Sequence, residues 1–392
     1  MSVNDRPWAF TNIDIFDGCR AVNSATVVIT GSQITAVGTQ DDIDTSGMST
    51  IDGCGFFLLP GLIDSHVHAF SNALEESLQY GVTTVLDMFC DPEWVALRRG
   101  EQANSLVHKR ADIWSAGMAA AARGGHGSEY GLSIPEVGGP ENAPRFVADR
   151  LAEGSDWIKI IYENPRKGKP VIDRATMTAL VEAAHAAGVL AVVHPGATLQ
   201  AEFALAAGAD ALAHVCIDAP FSDNGIQLAV HQKATVIPTL AVLERACNPQ
   251  IGSRIIRVGN SNQRLDHTSA THLDKTFSTR RNPKRYEWAV DSVYRLYSNQ
   301  VPILAGSDAP NLGISWGAGL HREIELLVAA GITESDALTA ATYRPAIAFG
   351  LPDRGRIIPG GIADLVTLKE NPLKDISAVR TVEAVWKRGI KL

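Results

Sequence analysis

The chain is short of cysteine, carries no excess of basic charge and has no long apolar run, and each shortage closes off a class of protein. Its five cysteines, Cys19, Cys54, Cys90, Cys216 and Cys247, are odd in number and lack Cys-x-x-Cys spacing. That argues against a disulfide framework and fits a reducing, cytoplasmic setting. A net charge of −8 offers no broad attraction to nucleic acid or to an anionic membrane, so neither is expected as a partner. No apolar run approaches the roughly 20 residues of a membrane-spanning helix, and the opening Met1-Ser2-Val3-Asn4-Asp5-Arg6 lacks a signal-peptide core. What the chain does have is 392 residues, 45% of them hydrophobic, enough for a large core and a satellite domain.

Six residues, His66, His68, Lys159, His194, His214 and Asp308, sit at or near the ends of short apolar runs. The first run, Leu58-Leu59-Pro60-Gly61-Leu62-Ile63-Asp64-Ser65-His66-Val67-His68, closes in His-x-His. On a strand, residues two apart face the same side, so both imidazoles would address one space and could hold one borderline cation. Alone, such a pair reads equally well as one buried structural histidine and one exposed one. In Trp157-Ile158-Lys159-Ile160-Ile161 a lysine interrupts an apolar strand. A bare ammonium there costs several kcal/mol unless it is paired or chemically altered. Leu190 to His194 and Asp210 to His214 end on histidine, and Val301 to Asp308 ends on a carboxylate.

At these positions the chain resembles the amidohydrolase superfamily, its binuclear-metal branch in particular, which includes imidazolonepropionase-like and Xaa-Pro dipeptidase-like enzymes. Pro60-Gly61-Leu62-Ile63-Asp64-Ser65-His66-Val67-His68 is similar to the signature of that family's first barrel strand. The resemblance implies a distorted TIM barrel with two divalent ions, zinc first among the candidates. It implies that His66 and His68 bind the more buried ion and that a carboxylated Lys159 bridges the pair. His194 and His214 would bind the second ion, and Asp308 would ligate the first and shuttle protons. Carboxylation would also turn the buried ammonium into an anionic ligand.

The remaining pattern is that of an α/β chain. Apolar runs at 58–67, 83–88, 113–118, 157–161, 190–194, 211–215, 234–240 and 303–308 make eight expected strands, which suits a (β/α)8 barrel over residues 58–351. Arg174 to Ala187 reads as a helix stopped by Gly188. Residues 1–57 and 352–392 are strand-like at both ends, and are expected to pair into one small β-sandwich; Gly361-Ile362-Ala363-Asp364-Leu365-Val366 resembles the family's C-terminal signature. Residues 244–297 form a polar, helical insertion with His267, His272 and a basic run from Arg280 to Arg285. It reads either as a solvated surface or as a lid over the site.

The chemistry expected from this ligand set is hydrolysis of a C–N bond (amide, cyclic amide, peptide-like) or a C–O bond (lactone, ester) of a small molecule by a metal-bridging hydroxide. Asp308 would take the proton from the attacking water and pass it to the leaving group. Arg123-Gly124-Gly125-His126-Gly127 is similar to a Gly-Gly-His-Gly loop of the imidazolonepropionase-like and dipeptidase branches, and places His126 and Arg123 as substrate contacts. Tyr162 is a further candidate for orienting the scissile group, although strand parity sets it opposite Lys159. Arg166 and Lys167 are candidates for a substrate carboxylate. The loop from Tyr162 to Lys169 departs from the small, glycine-rich one of the dipeptidase branch. A mononuclear deaminase or imidazolone-type ring hydrolase is the alternative, but Lys159 and the absence of His-x-x-Glu at His194 speak against it. A metal-free scaffold is the third reading, at odds with six filled ligand positions. A homo-oligomer is compatible with all of this.

Overall fold

The computed structural model describes residues 6–103, 108–128, 132–165, 168–247 and 282–392. Five strands come first: β1 (Trp8–Phe16), β2 (Ala21–Thr30), β3 (Gln33–Gly38), β4 (Ser49–Asp52) and β5 (Phe57–Pro60). β1 pairs antiparallel with β2 and parallel with β4 and β5. The expected strand from Leu58 to Val67 breaks at Gly61, where a Cβ would lie 2.1 Å from Thr83 Oγ1. Its first part is therefore β5, and its second is β6 (Leu62–Val67).

From β6 to β12 the paired strands run parallel. β6, β7 (Val82–Asp87) and β8 (Asp112–Ser115) form one sheet; β9 (Ile158–Tyr162), β10 (Ala191–Pro195), β11 (Ala211–Ala213) and β12 (Thr235–Ile237) form another. Single bridges connect them. Ala120, beyond β8, bridges Ile160 of β9; Val236 of β12 bridges Ile303, and Val67 of β6 bridges Ala309. The expected strand at 303–308 is thus not a regular one, yet its backbone is held from both sides: Leu304 N donates to Val236 O at 2.9 Å and Ser65 N donates to Ala305 O at 2.9 Å.

Helices lie between most of these strands. Arg174–Ala186 starts at Asp173, whose carboxylate accepts from Thr176 N, and ends before Gly188 at φ +76°; that left-handed turn suits glycine. Outward side chains of β9, Ile158, Ile160 and Tyr162, share a core with Met177, Leu180 and Val181 of this helix. On the inward side Ile63, Leu86, Val192, Ala213, Ile237 and Leu304 form a separate apolar cluster.

The chain then returns to its first sheet. β13 (Leu365–Leu368) pairs antiparallel with β5, and β14 (Val382–Lys387) and β15 (Ile390–Lys391) extend the edge, giving β15-β14-β13-β5-β1-β2-β3. Both chain ends therefore share one eight-stranded sheet. Lys387, fully buried, ties it to the parallel strands by donating to Asp112 Oδ2 at 2.8 Å. Among the described residues no helix is long and apolar enough to cross a membrane.

Candidate metal centre

His66, His68 and Asp308 come together as the sequence predicts. Asp308 Oδ1 lies 3.4 Å from His66 Nε2 and 3.1 Å from His68 Nε2. The rings of His66 and His214 are 4.8 Å apart and those of His194 and His214 4.6 Å. Lys159 faces the same side: it is buried, and its ammonium is influenced by Asp308 and Asp87.

Backbone geometry sets the positions. Gly306 lets residues 303–308 approach β6, because a Cβ there would be 2.5 Å from Ile237 Cγ2 and 2.9 Å from His66 N. His214 and Asp308 adopt φ of +79° and +56°, uncommon for residues with a Cβ and typical of sites where function fixes the backbone. They are held there by His214 N donating to Ile237 O and Asp308 N to His66 O, both at 2.8 Å.

Several supporting residues escaped the sequence reading. Asp64 accepts from Ser307 N at 2.9 Å and Ser307 Oγ at 2.6 Å, tying the two ligand-bearing segments together; burial pushes its carboxyl up to about 7. Asp87 accepts from Ala69 N and Ser115 Oγ just beyond His68. Thr239 Oγ1 lies 2.6 Å from His214 Nδ1, so Nε2 is the nitrogen left for a ligand. Glu163 Oε1 lies 3.4 Å from His194 Nε2. Asp64 and Glu163 had a legible signal, since each shares strand parity with a candidate ligand, His66 or Lys159. Thr239 had none.

The electrostatics suit cations. Burial holds His66 and His214 well below the usual imidazole range and His194 down to about 4, so all three are neutral donors near pH 7. Burial would raise Asp308, but the His68 hydrogen bond and nearby His214 bring it down to about 2, so it is ionised. Burial takes Lys159 down to about 7, opposed by Asp308 and Asp87. An amine normally titrating at 10.5 is thereby substantially neutral at neutral pH, the form that can react with carbon dioxide.

The donor set fits a divalent ion. Both ring nitrogens of His66 and the Lys159 Nζ are buried with no hydrogen-bond partner, an expensive arrangement unless something else binds them. His68 Nδ1 lies 3.3 Å from Phe89 O. With an ion bound, donation there would leave the Nε2 lone pair for the ion, which would replace the hydrogen bond that Nε2 makes to Asp308 Oδ1 at 3.1 Å. Ligands at 2.0–2.1 Å from a tetrahedral zinc are about 3.3 Å apart, close to the separations seen.

Two of the expected contacts are elsewhere. Tyr162 belongs to the outward core with Ile158 and Ile160, and its neighbouring charges are Arg174 and Asp173. The structure therefore does not bring it to the cluster; β9 keeps its parity through residue 162, and the turn that would redirect Tyr162 does not occur. Arg123 is exposed, 3.8 Å from Glu136. His126 does reach the centre, its ring stacked 5.2 Å from that of His194. Arg166, Lys167, His267, His272, Arg280 and Arg281 lie outside the described residues. Of the 244–297 insertion, Pro283–Ser298 is a helix with Ala289, Val293 and Leu296 in the core.

The model of the amidohydrolase family matches residues 57–391. Ochratoxinase from Aspergillus niger is 23% identical over 94% of this chain and 82% of its own length. Imidazolonepropionase from Pyrobaculum arsenaticum is 44% identical, but over only 25% of this chain and 24% of that protein. Among solved structures, a Xaa-Pro dipeptidase with bound methionine superposes with a TM-score of 0.78 at 22% identity, covering 98% of this chain and 99% of that one. The chain belongs to the amidohydrolase family.

Proposed function

We propose that this enzyme is a metal-dependent hydrolase of the C–N bond of a small amide, cyclic amide or peptide-like molecule, with lactones and esters as the C–O counterpart. The observation that carries the proposal is the cluster of His66, His68 and Asp308 beside a buried Lys159 with no hydrogen-bond partner. Relatives named for a dipeptidase and for ochratoxin support the C–N class. The three bridges at Ala120, Val236 and Val67 support reading the two parallel sheets and the 303–309 segment as one closed, distorted (β/α)8 barrel, with the candidate ligands at the carboxyl ends of its strands. On that reading residues 58–351 are the catalytic domain, and the end sheet belongs to a small β-sandwich.

His66, His68 and Asp308 would hold one divalent ion, His194 and His214 a second, and a carboxylated Lys159 would reach both. Zinc suits this nitrogen and oxygen set. Bound there, such ions supply an acidified water and polarisation of the substrate carbonyl. Asp308, ionised and held by Asn311 Nδ2 at 3.2 Å from Oδ2, takes the proton from the attacking water and returns it to the leaving nitrogen. Without that proton an amide nitrogen is a poor leaving group. His126, beside His194, donates to the substrate oxygen.

The test is metal content per chain on protein purified without chelators, with intact mass to detect carbon dioxide on Lys159. About two ions per chain, a modified lysine and turnover of amide substrates are expected. One ion with an unmodified lysine would shift the reading to deaminase-like chemistry, and no uptake after reconstitution would end it.

A further inference from the structure

A second set of ligand atoms lies beside the first. Donor atoms of His126, Glu163 and His194 all fall within 4.8 Å of one another. They come from the loop after β8 and from the ends of β9 and β10. Glu163 Oε2 accepts from Asn164 N at 3.0 Å, which turns Oε1 toward His194 Nε2, 3.4 Å away. That spacing is close to the roughly 3.3 Å between two ligands of a tetrahedral zinc. The backbone is built for the approach. At Gly196 any Cβ would sit 2.3 Å from both Asn164 N and Glu163 Oε2, and Gly124 and Gly127 flank His126 at φ of +70° and +98°.

We propose that His126, Glu163 and His194 form an additional site for a divalent transition-metal ion such as zinc, outside the pair held by the other ligands. The functional consequence rests on the proposed metal-hydrolase reading. A neutral imidazole has one lone pair, so His194 serves either this outer ion or the inner one. Occupation of the outer site withdraws His194 from the second inner ion and His126 from the substrate, so the site is inhibitory. Excess metal would then lower turnover in a way that depends on Glu163.

The experiment strips the full-length protein with chelator, then titrates zinc by elemental analysis and cobalt by visible absorption, in the native protein, Glu163→Gln and His126→Asn. Circular dichroism checks that each variant is folded. The native protein is expected to take up one weakly held ion more than either variant, whose affinity for it falls on the order of a hundredfold; the tightly held ions stay equal in all three. Identical titrations overturn the proposal. So does Glu163→Gln weakening a tight ion with no separate weak one in the native protein, because Glu163 would then only orient His194 as an outer carboxylate partner. If no protein takes up tight ions, the metal-hydrolase reading fails, while a weak ion that still depends on Glu163 and His126 upholds the outer site.

Discussion

Lys159→Met should make the metal-free enzyme more stable and the metal-loaded enzyme less so. Methionine matches the length of the lysine stem and removes a cation from a site where Lys159 is 3% exposed. Burial lowers that ammonium from 10.5 to about 7, a shift equivalent to on the order of 5 kcal/mol against the charged form. Between about 7 and 10.5 the unfolded chain holds a proton that the folded chain has shed. Stability of the native protein therefore rises with pH across this window at about 1.4 kcal/mol per unit. Below about 7 both states are protonated and the full penalty applies. In chelator near pH 6, Lys159→Met should thus exceed the native protein by several kcal/mol, and by about pH 9 the gap should narrow by roughly 3 kcal/mol. Urea unfolding followed by tryptophan fluorescence, with buried Trp157 among the reporters, measures both. Other titrating groups are common to the two proteins and cancel to first order in the difference. With zinc restored the order should reverse, since the variant lacks a ligand. A gap that stays flat from about pH 6 to 9 would refute the reasoning, as would a metal-free variant less stable than the native protein at the acid end.

Asp308→Asn should lower turnover by roughly 10²- to 10⁴-fold, the range for a positioned acid-base group, while most of the metal remains; steady-state rates beside elemental analysis decide this, and near-normal turnover would exclude Asp308 as the proton carrier. Gly306→Ala places a methyl 2.5 Å from Ile237 Cγ2 and 2.9 Å from the His66 backbone, so a loss of about 1–3 kcal/mol from overpacking and weaker metal retention should follow in denaturant and chelator titrations. Glu323, fully buried and accepting from Ala241 N at 2.7 Å, is pushed by burial from 4.5 up to about 8. The folded state keeps its proton above the pH at which the unfolded chain loses it, so this residue makes stability fall as pH rises from about 4.5 to 8. Glu323→Gln should remove that decline, by on the order of a few kcal/mol between pH 5 and 8, as read from unfolding free energies at the two ends.

The candidate ligands were legible because alternation on a strand is a local rule. His66, Lys159 and His194 are each fixed by the parity of the apolar run that contains them, and the same parity rightly set Tyr162 opposite Lys159. Parity also marked Glu163, one residue further on. The division of Leu58–Val67 at Gly61 was less accessible, because it depends on Thr83 of a neighbouring strand. The segment ending at Asp308 reads as a strand by composition, yet its backbone bonds go to Val236, Ser65, His66 and Ala340 in single links rather than a ladder.

By itself the sequence determined which side chains could bind metal and that strands and helices alternate. These follow from side-chain chemistry and from periodicities of two and 3.6 residues, both local along the chain. Only the tertiary structure decided which donors share a space, which imidazole nitrogen each neighbour leaves available, and that Asp64 and Thr239 brace the candidate ligands. It also decided that Lys159 is stripped of hydrogen-bond partners. Those properties depend on desolvation and on distances of 3–5 Å between residues up to 243 positions apart, which no local pattern encodes.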